Sequence, residues 1–141
     1  MPELPEVETI ARGVDSRVRG RTILSVWLGS KPEPFRSTPA EIAATLTGST
    51  IERVHRVGKH IVVDLSRKHS GSTTAQWLVH LGMTGRLLVY APDVPLAPHT
   101  HAILQLDDHR EIRFVDPRRF GRLSVLDLSA PATKTSGKTT G

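Results

Sequence analysis

The sequence contains no cysteine, which excludes disulfides, thiolate nucleophiles, iron–sulfur clusters and any zinc site that depends on sulfur. Only histidine and carboxylates remain as metal ligands. Aromatic residues are 4% of the chain, too few for a platform on which single strands stack base after base. The longest apolar runs are strand-sized, so no segment reads as a membrane-crossing helix and no membrane partner is expected. The start, MPELPEVE, is acidic and has neither a basic beginning nor an apolar core, so it is not a secretory leader and a cytoplasmic location is expected.

What is present fits one domain and a tail. The 141 residues suffice for one core. Nineteen Lys and Arg against fourteen Asp and Glu give a net charge of +5, which suits a polyanionic partner. The stretch from Leu128 to Gly141 is rich in Thr, Ser, Gly and Lys and reads as a disordered tail after a domain over residues 1–127. It carries only Lys134 and Lys138 as charges, so the domain itself stays positive.

Leu4, Val7, Ile10, Val14 and Val18 recur every three or four residues, which predicts an amphipathic helix over residues 5–19. Pro5 suits its first turn, Gly20 its end, and the acidic start and basic finish match the helix dipole. A strand is expected over 22–28, then a proline-rich loop, then a short helix over 39–46 with Thr38 as cap. Strands follow at 50–57, 60–66, 75–81, 85–90, 101–107, 110–115 and 121–127, with Asp107-Asp108 as the clearest hairpin turn. Many short strands, two helices and no βαβ alternation predict an α+β domain: an antiparallel β-sandwich flanked by an N-terminal amphipathic helix and a second short helix.

Pro2 follows the initiator Met, whose removal would leave a free prolyl amine. A secondary amine that attacks an aldehyde carbon gives an iminium, cationic by construction and ready to accept electrons. An α-amino group of pKa about 8, against about 10.4 for lysine, offers more neutral nucleophile at pH 7. Glu3 beside it can shuttle protons, and Glu6 lies one helical turn on. The same residues are also an ordinary helix start, since Pro-Glu pairs commonly open helices.

Further along, Arg118 and Arg119 in DPRRFG sit in a turn after a strand with Phe120 beside them, which suits phosphate contacts and a wedge for a base stack. A core phenylalanine at a solvated edge is the bland alternative. Met83 in HLGMTGR stands between Gly82 and Gly85, presented at a loop tip or else filling a core gap. Lys59, after Gly58 between two strands, could meet a phosphate as a point charge. His99 and His101 are read as sharing one strand face, but without a nearby carboxylate they predict no metal site.

Taken together, MPELPEVETIARGV, GKH, HLGMTGRL, PHTHAIL and FVDPRRFGRL, in this order, closely resemble the N-terminal domain of the formamidopyrimidine-DNA glycosylase family, over residues 1 to about 127. Endonuclease VIII relatives typically have Gly where this chain has Leu4, so the oxidised-purine branch fits better. The resemblance implies base-excision repair of 8-oxoguanine and formamidopyrimidines in double-stranded DNA, with N-glycosylase and AP-lyase steps on a flipped-out nucleotide. By motif match, Pro2 would attack C1′ of the sugar, Glu3 would move protons at the ring oxygen and Glu6 would support the site. Lys59, His99 and Arg118 would hold phosphates, Arg119 would lie on the DNA-binding turn, and Met83, Arg118 and Phe120 would fill the gap in the stack. Members of the family continue into a helix–two-turn–helix domain and a four-cysteine zinc finger. Neither is encoded here, so no metal or other cofactor is expected, glycosylase activity of the chain alone should be impaired, and a separate C-terminal chain is an open matter. Two other readings stand beside this one: a non-catalytic DNA-binding remnant, and a small tautomerase using Pro2 as general base.

Overall fold

The fold was obtained as a computed structural model that describes residues 3–67 and 72–128. In chain order the elements are α1 (Leu4–Val18), β1 (Ile23–Leu28), α2 (Pro39–Leu46), β2 (Thr50–Val57), β3 (His60–Ser66), β4 (Ala75–His80), β5 (Arg86–Tyr90), β6 (Thr100–Leu106), β7 (Glu111–Val115) and β8 (Arg122–Asp127). Each expected element is present, with ends shifted by at most about one residue. The tail lies outside the described residues apart from Leu128.

The strands form two four-stranded antiparallel sheets, ordered β1-β6-β7-β5 and β2-β3-β4-β8. Alternation along β4 shows why they stack: Ala75, Trp77 and Val79 point inward and are buried, while Gln76, Leu78 and His80 face out. Ile61, Val63 and Leu65 of β3 meet Ala102, Leu104, Ile112 and Phe114 of the other sheet in one core.

The helices close the two open flanks. α1 buries Val7, Ala11, Val14 and Val18 against β2 and β5, each valine contributing roughly 2 kcal/mol of apolar burial. Gly20, at φ +86°, ends it in a conformation other residues adopt with strain. α2 packs against β1 and β8, and Thr38 caps it as expected: its hydroxyl accepts the Glu41 N–H at 3.1 Å while the Glu41 carboxylate accepts the Thr38 N–H at 2.9 Å.

Two chain segments, residues 81–85 and 116–121, pass from one sheet to the other, and both do so at the same end of the sandwich. The cross-strand register fixes this: His60 pairs His80 and His80 pairs Arg122 in one sheet, while Arg86 and Thr100 both pair Val115 in the other. α1 begins at this end as well. Glu8 near its start reaches Arg56 at 3.1 Å, Asp15 accepts the Val54 N–H farther down β2 at 2.7 Å, and Gly20 N–H bonds the Ile51 carbonyl at the far end.

Candidate nucleic-acid interface

The two crossing segments are locked together by one carboxylate. Asp116 is fully buried; its Oδ1 accepts the Thr84 hydroxyl at 2.6 Å and its Oδ2 accepts the Gly121 N–H at 2.7 Å. The Arg118 N–H in turn donates to the Thr84 oxygen at 3.3 Å. Buried charge is tolerated here because both oxygens are hydrogen-bonded. The backbones also touch: a Cβ on Gly82, where φ is +63°, would lie 2.7 Å from the Gly121 nitrogen, and one on Gly121 would lie 2.8 Å from the His80 carbonyl oxygen. Gly121 is thus required for space rather than for backbone freedom.

This platform presents the residues singled out from DPRRFG and HLGMTGR. Met83 is 53% exposed and Phe120 47% exposed, so neither is a core residue. The Arg118 guanidinium lies over the Phe120 ring at 4.8 Å, a stacking that orients the cation and covers one ring face. Two apolar side chains and an arginine therefore project from one rigid ledge.

Lys59 stands at the tip of the β2–β3 hairpin, after Gly58 at φ +60°. Its neighbour His60 meets His80 edge to face, with ring centroids 5.0 Å apart. His80 accepts the Gly82 N–H on Nδ1 at 3.0 Å, so the neutral ring carries its proton on Nε2. Desolvation, then the charges of His60, Lys59 and Arg122, hold the His80 pKa below the ordinary histidine value. The hairpin bearing Lys59 thus adjoins the base of the Met83 turn. Sequence reading passed over His80, Thr84 and Asp116, because the bond that joins Thr84 to Asp116 spans 32 residues of sequence and no local pattern marks it.

Glu3 is exposed at the start of α1, and its N–H donates to the Glu6 carboxylate at 2.9 Å. Glu6 therefore fixes the direction in which the chain enters the helix. The Arg56 side chain that binds Glu8 also donates to the Gly58 carbonyl at 3.0 Å, tying this helix start to the Lys59 hairpin. Pro2, the expected nucleophile, lies outside the described residues.

His99 and His101 require a correction, for they do not share a strand face. β6 begins at Thr100, and His99 precedes it with φ +67°, exposed. His101 is 3% exposed and donates from Nε2 to the Asp116 carbonyl at 2.9 Å. The left-handed residue turns one imidazole to solvent and leaves the other as a brace inside the fold. The His99 carbonyl accepts the Asp116 N–H at 3.0 Å, so His99 stands beside the same platform. Arg119, also left-handed at φ +57°, points differently from Arg118 and pairs with Glu33 at 3.4 Å. Among the described residues no three His, Asp or Glu side chains converge as metal ligands.

An α+β sandwich that sets an N-terminal helix, a hairpin lysine and a ledge of methionine, arginine and phenylalanine at one end is the architecture of a DNA-glycosylase N-terminal domain. The family described as the formamidopyrimidine-DNA glycosylase N-terminal domain matches residues 1–123, and the chain belongs to it. The formamidopyrimidine-DNA glycosylase of Thioalkalivibrio sulfidiphilus is 43% identical over 132 residues, which are 94% of this chain and 45% of that protein. That of Herpetosiphon aurantiacus is 38% identical over 133 residues, 94% of this chain and 46% of that protein. Among solved structures, Lactococcus lactis Fpg with abasic-site DNA superimposes with a TM-score of 0.79 at 26% identity, covering 89% of this chain and 44% of that one. The same protein with DNA containing Fapy-dG gives 0.78. The chain spans less than half the length of these relatives. No helix among the described residues is long and apolar enough to cross a membrane.

Proposed function

We propose that this chain is a DNA-repair domain that engages duplex DNA at oxidised purines and abasic sites and reacts with the damaged sugar through Pro2. The observation that carries the reading is the gathering, at one end of the sandwich, of the α1 start with Glu3, the Lys59 hairpin and the Asp116-locked ledge of Met83, Arg118 and Phe120. A reaction at a sugar carbon inside a duplex needs a nucleophile, a proton carrier, cations for the flanking phosphates and something to occupy the emptied stack. Complexes of the Lactococcus lactis relative with abasic-site and Fapy-dG DNA support DNA as the partner.

The Pro2 nitrogen bonds to C1′ as the glycosidic bond breaks, its N–H proton leaves with the departing base, and Glu3 supplies the proton at the ring oxygen as the sugar opens. The resulting iminium draws electrons from C2′; loss of the C2′ proton expels the 3′ phosphate, and a second elimination expels the 5′ phosphate. Lys59, His99 and Arg118 hold the phosphates, while Arg118 also faces the unpaired base. Such a role on genomic DNA carries the cytoplasmic expectation with it.

Borohydride reduction with abasic-site duplex tests this. The expected result is a covalent adduct whose peptide map places the DNA on the N-terminal peptide, with its yield lowered by Pro2→Gly. Salt-sensitive binding with no adduct would select the non-catalytic DNA-binding reading. An adduct mapped to a lysine would remove Pro2 from the chemistry. A tautomerase would neither bind DNA nor be trapped.

A further inference from the structure

Beside the ledge, and sharing only His99 with the residues assigned to the lesion's phosphates, lies a cleft of about 460 Å³ lined by Trp27, Lys31, His99, Pro117 and Arg119. Trp27 is on the outward face of β1 opposite Ile103, with 51% of its surface exposed. Its indole gives the cleft a flat wall open to solvent. Two of the non-glycine residues with positive φ, His99 at +67° and Arg119 at +57°, both line this cleft, and such conformations persist where surrounding structure enforces them, commonly at binding sites. The lining combines a flat apolar wall with cations from two separate segments, Lys31 and Arg119, and Glu33 sits 3.4 Å from Arg119 in an exposed pair that an incoming anion can replace.

We infer that this cleft takes a phosphodiester of the same duplex DNA, farther along the backbone from the lesion, with the phosphate on Lys31 and Arg119 and the deoxyribose against Trp27. The inference rests on the DNA-repair reading but uses none of its catalytic groups. Pro117 and Arg119 belong to the turn that carries Arg118 and Phe120, so a backbone leaving the ledge continues into the cleft without a break. Arg119 exchanges Glu33 for the phosphate as DNA arrives.

The two tryptophans make the test direct, because Trp77 is fully buried in the core and Trp27 is the accessible one. Acrylamide quenching of the full chain is measured with and without a 20-base-pair duplex carrying a tetrahydrofuran abasic analogue, with fluorescence anisotropy of the labelled DNA reporting binding and Trp27→Phe identifying the signal. The expected results are loss of most Trp27 quenching on saturation, and for Lys31→Ala an affinity about fivefold lower with a salt slope shallower by about one. Full quenching of Trp27 with DNA bound, or an unchanged salt slope in Lys31→Ala, would overturn the cleft assignment. Protection of Trp27 without any borohydride adduct would sustain the cleft and sink the Pro2 chemistry. Absence of binding by anisotropy would bring down both.

Discussion

The two ends of the sandwich are built on opposite rules. At the far end, where Asp107 and Asp108 turn β6 into β7, charges are matched locally: Arg110 pairs with Asp108 at 2.6 Å and also bonds the Arg17 carbonyl, Arg21 faces Asp107 at 3.6 Å, and Arg19 pairs with Asp15 at 3.0 Å. Burial pushes the Asp108 carboxyl up, but hydrogen bonds from Arg110 and the charge of Arg21 outweigh it and hold the pKa below the usual value. At the ledge end, Arg118 meets a phenylalanine ring, and the buried carboxylate, Asp116, is saturated by a hydroxyl and a backbone N–H. One end satisfies itself, and the other spends its hydrogen bonds on rigidity and directs cations outward. That division is what separates a structural turn from a binding surface.

Matched glycine substitutions should break this symmetry most sharply. Gly82 and Gly20 both have positive φ, but a Cβ at Gly82 meets the Gly121 nitrogen at 2.7 Å while one at Gly20 meets nothing within 4 Å. Gly20→Ala should cost about 1 kcal/mol, the conformational penalty alone. Gly82→Ala should cost about 3 kcal/mol or more, because two backbones must also move apart. Asp116→Ala should approach the same loss, since it strips the Gly121 N–H and the Thr84 hydroxyl of their acceptor in a buried site. Urea unfolding midpoints rank the three; equal costs for Gly82→Ala and Gly20→Ala would mean the crossing segments are not in contact.

Arginine deletions at the two ends should divide stability from binding. Arg118→Ala should leave the unfolding midpoint within about 0.5 kcal/mol and weaken binding to abasic-analogue duplex about tenfold. Arg110→Ala should do the reverse, costing about 1 kcal/mol of stability with DNA affinity unchanged. Equal binding losses in a fluorescence titration would show that DNA responds to net charge rather than to the ledge.

How much of this was legible follows from the length scale of each signal. The periodicity of Val7, Val14 and Val18, the cap at Thr38 and the Asp107-Asp108 turn are local, so the helices and the hairpin could be read directly. Met83 and Phe120 could be paired only through resemblance, because Gly82 and Gly121 meet through backbone atoms and leave no complementary side chains to read. Asp116 precedes a proline and reads as a turn residue; its burial arises from Thr84, distant in sequence. The histidine pair failed for a related reason: alternation holds only inside a strand, and the reversed φ at His99 lies just outside one.

The smallest expected effect is a pH dependence confined to the ledge end. Burial and the charges of His60, Lys59 and Arg122 lower the His80 pKa, so the folded chain resists a proton that the unfolded chain accepts near pH 6.5. The stability that neutral His80 contributes is therefore fully present above about pH 6.5 and is lost as pH falls from there through the lower folded-state value. Protonation also removes the Nδ1 acceptor of the Gly82 N–H, which loosens the base of the Met83 turn. Amide exchange of Gly82, corrected for its intrinsic pH dependence, should accelerate severalfold between pH 7 and pH 5, while the Gly20 amide, bonded to the Ile51 carbonyl at 2.7 Å, should not. His80→Gln should flatten the difference. Equal acceleration at both glycines would place the acid sensitivity in the whole fold and remove the distinction between its ends.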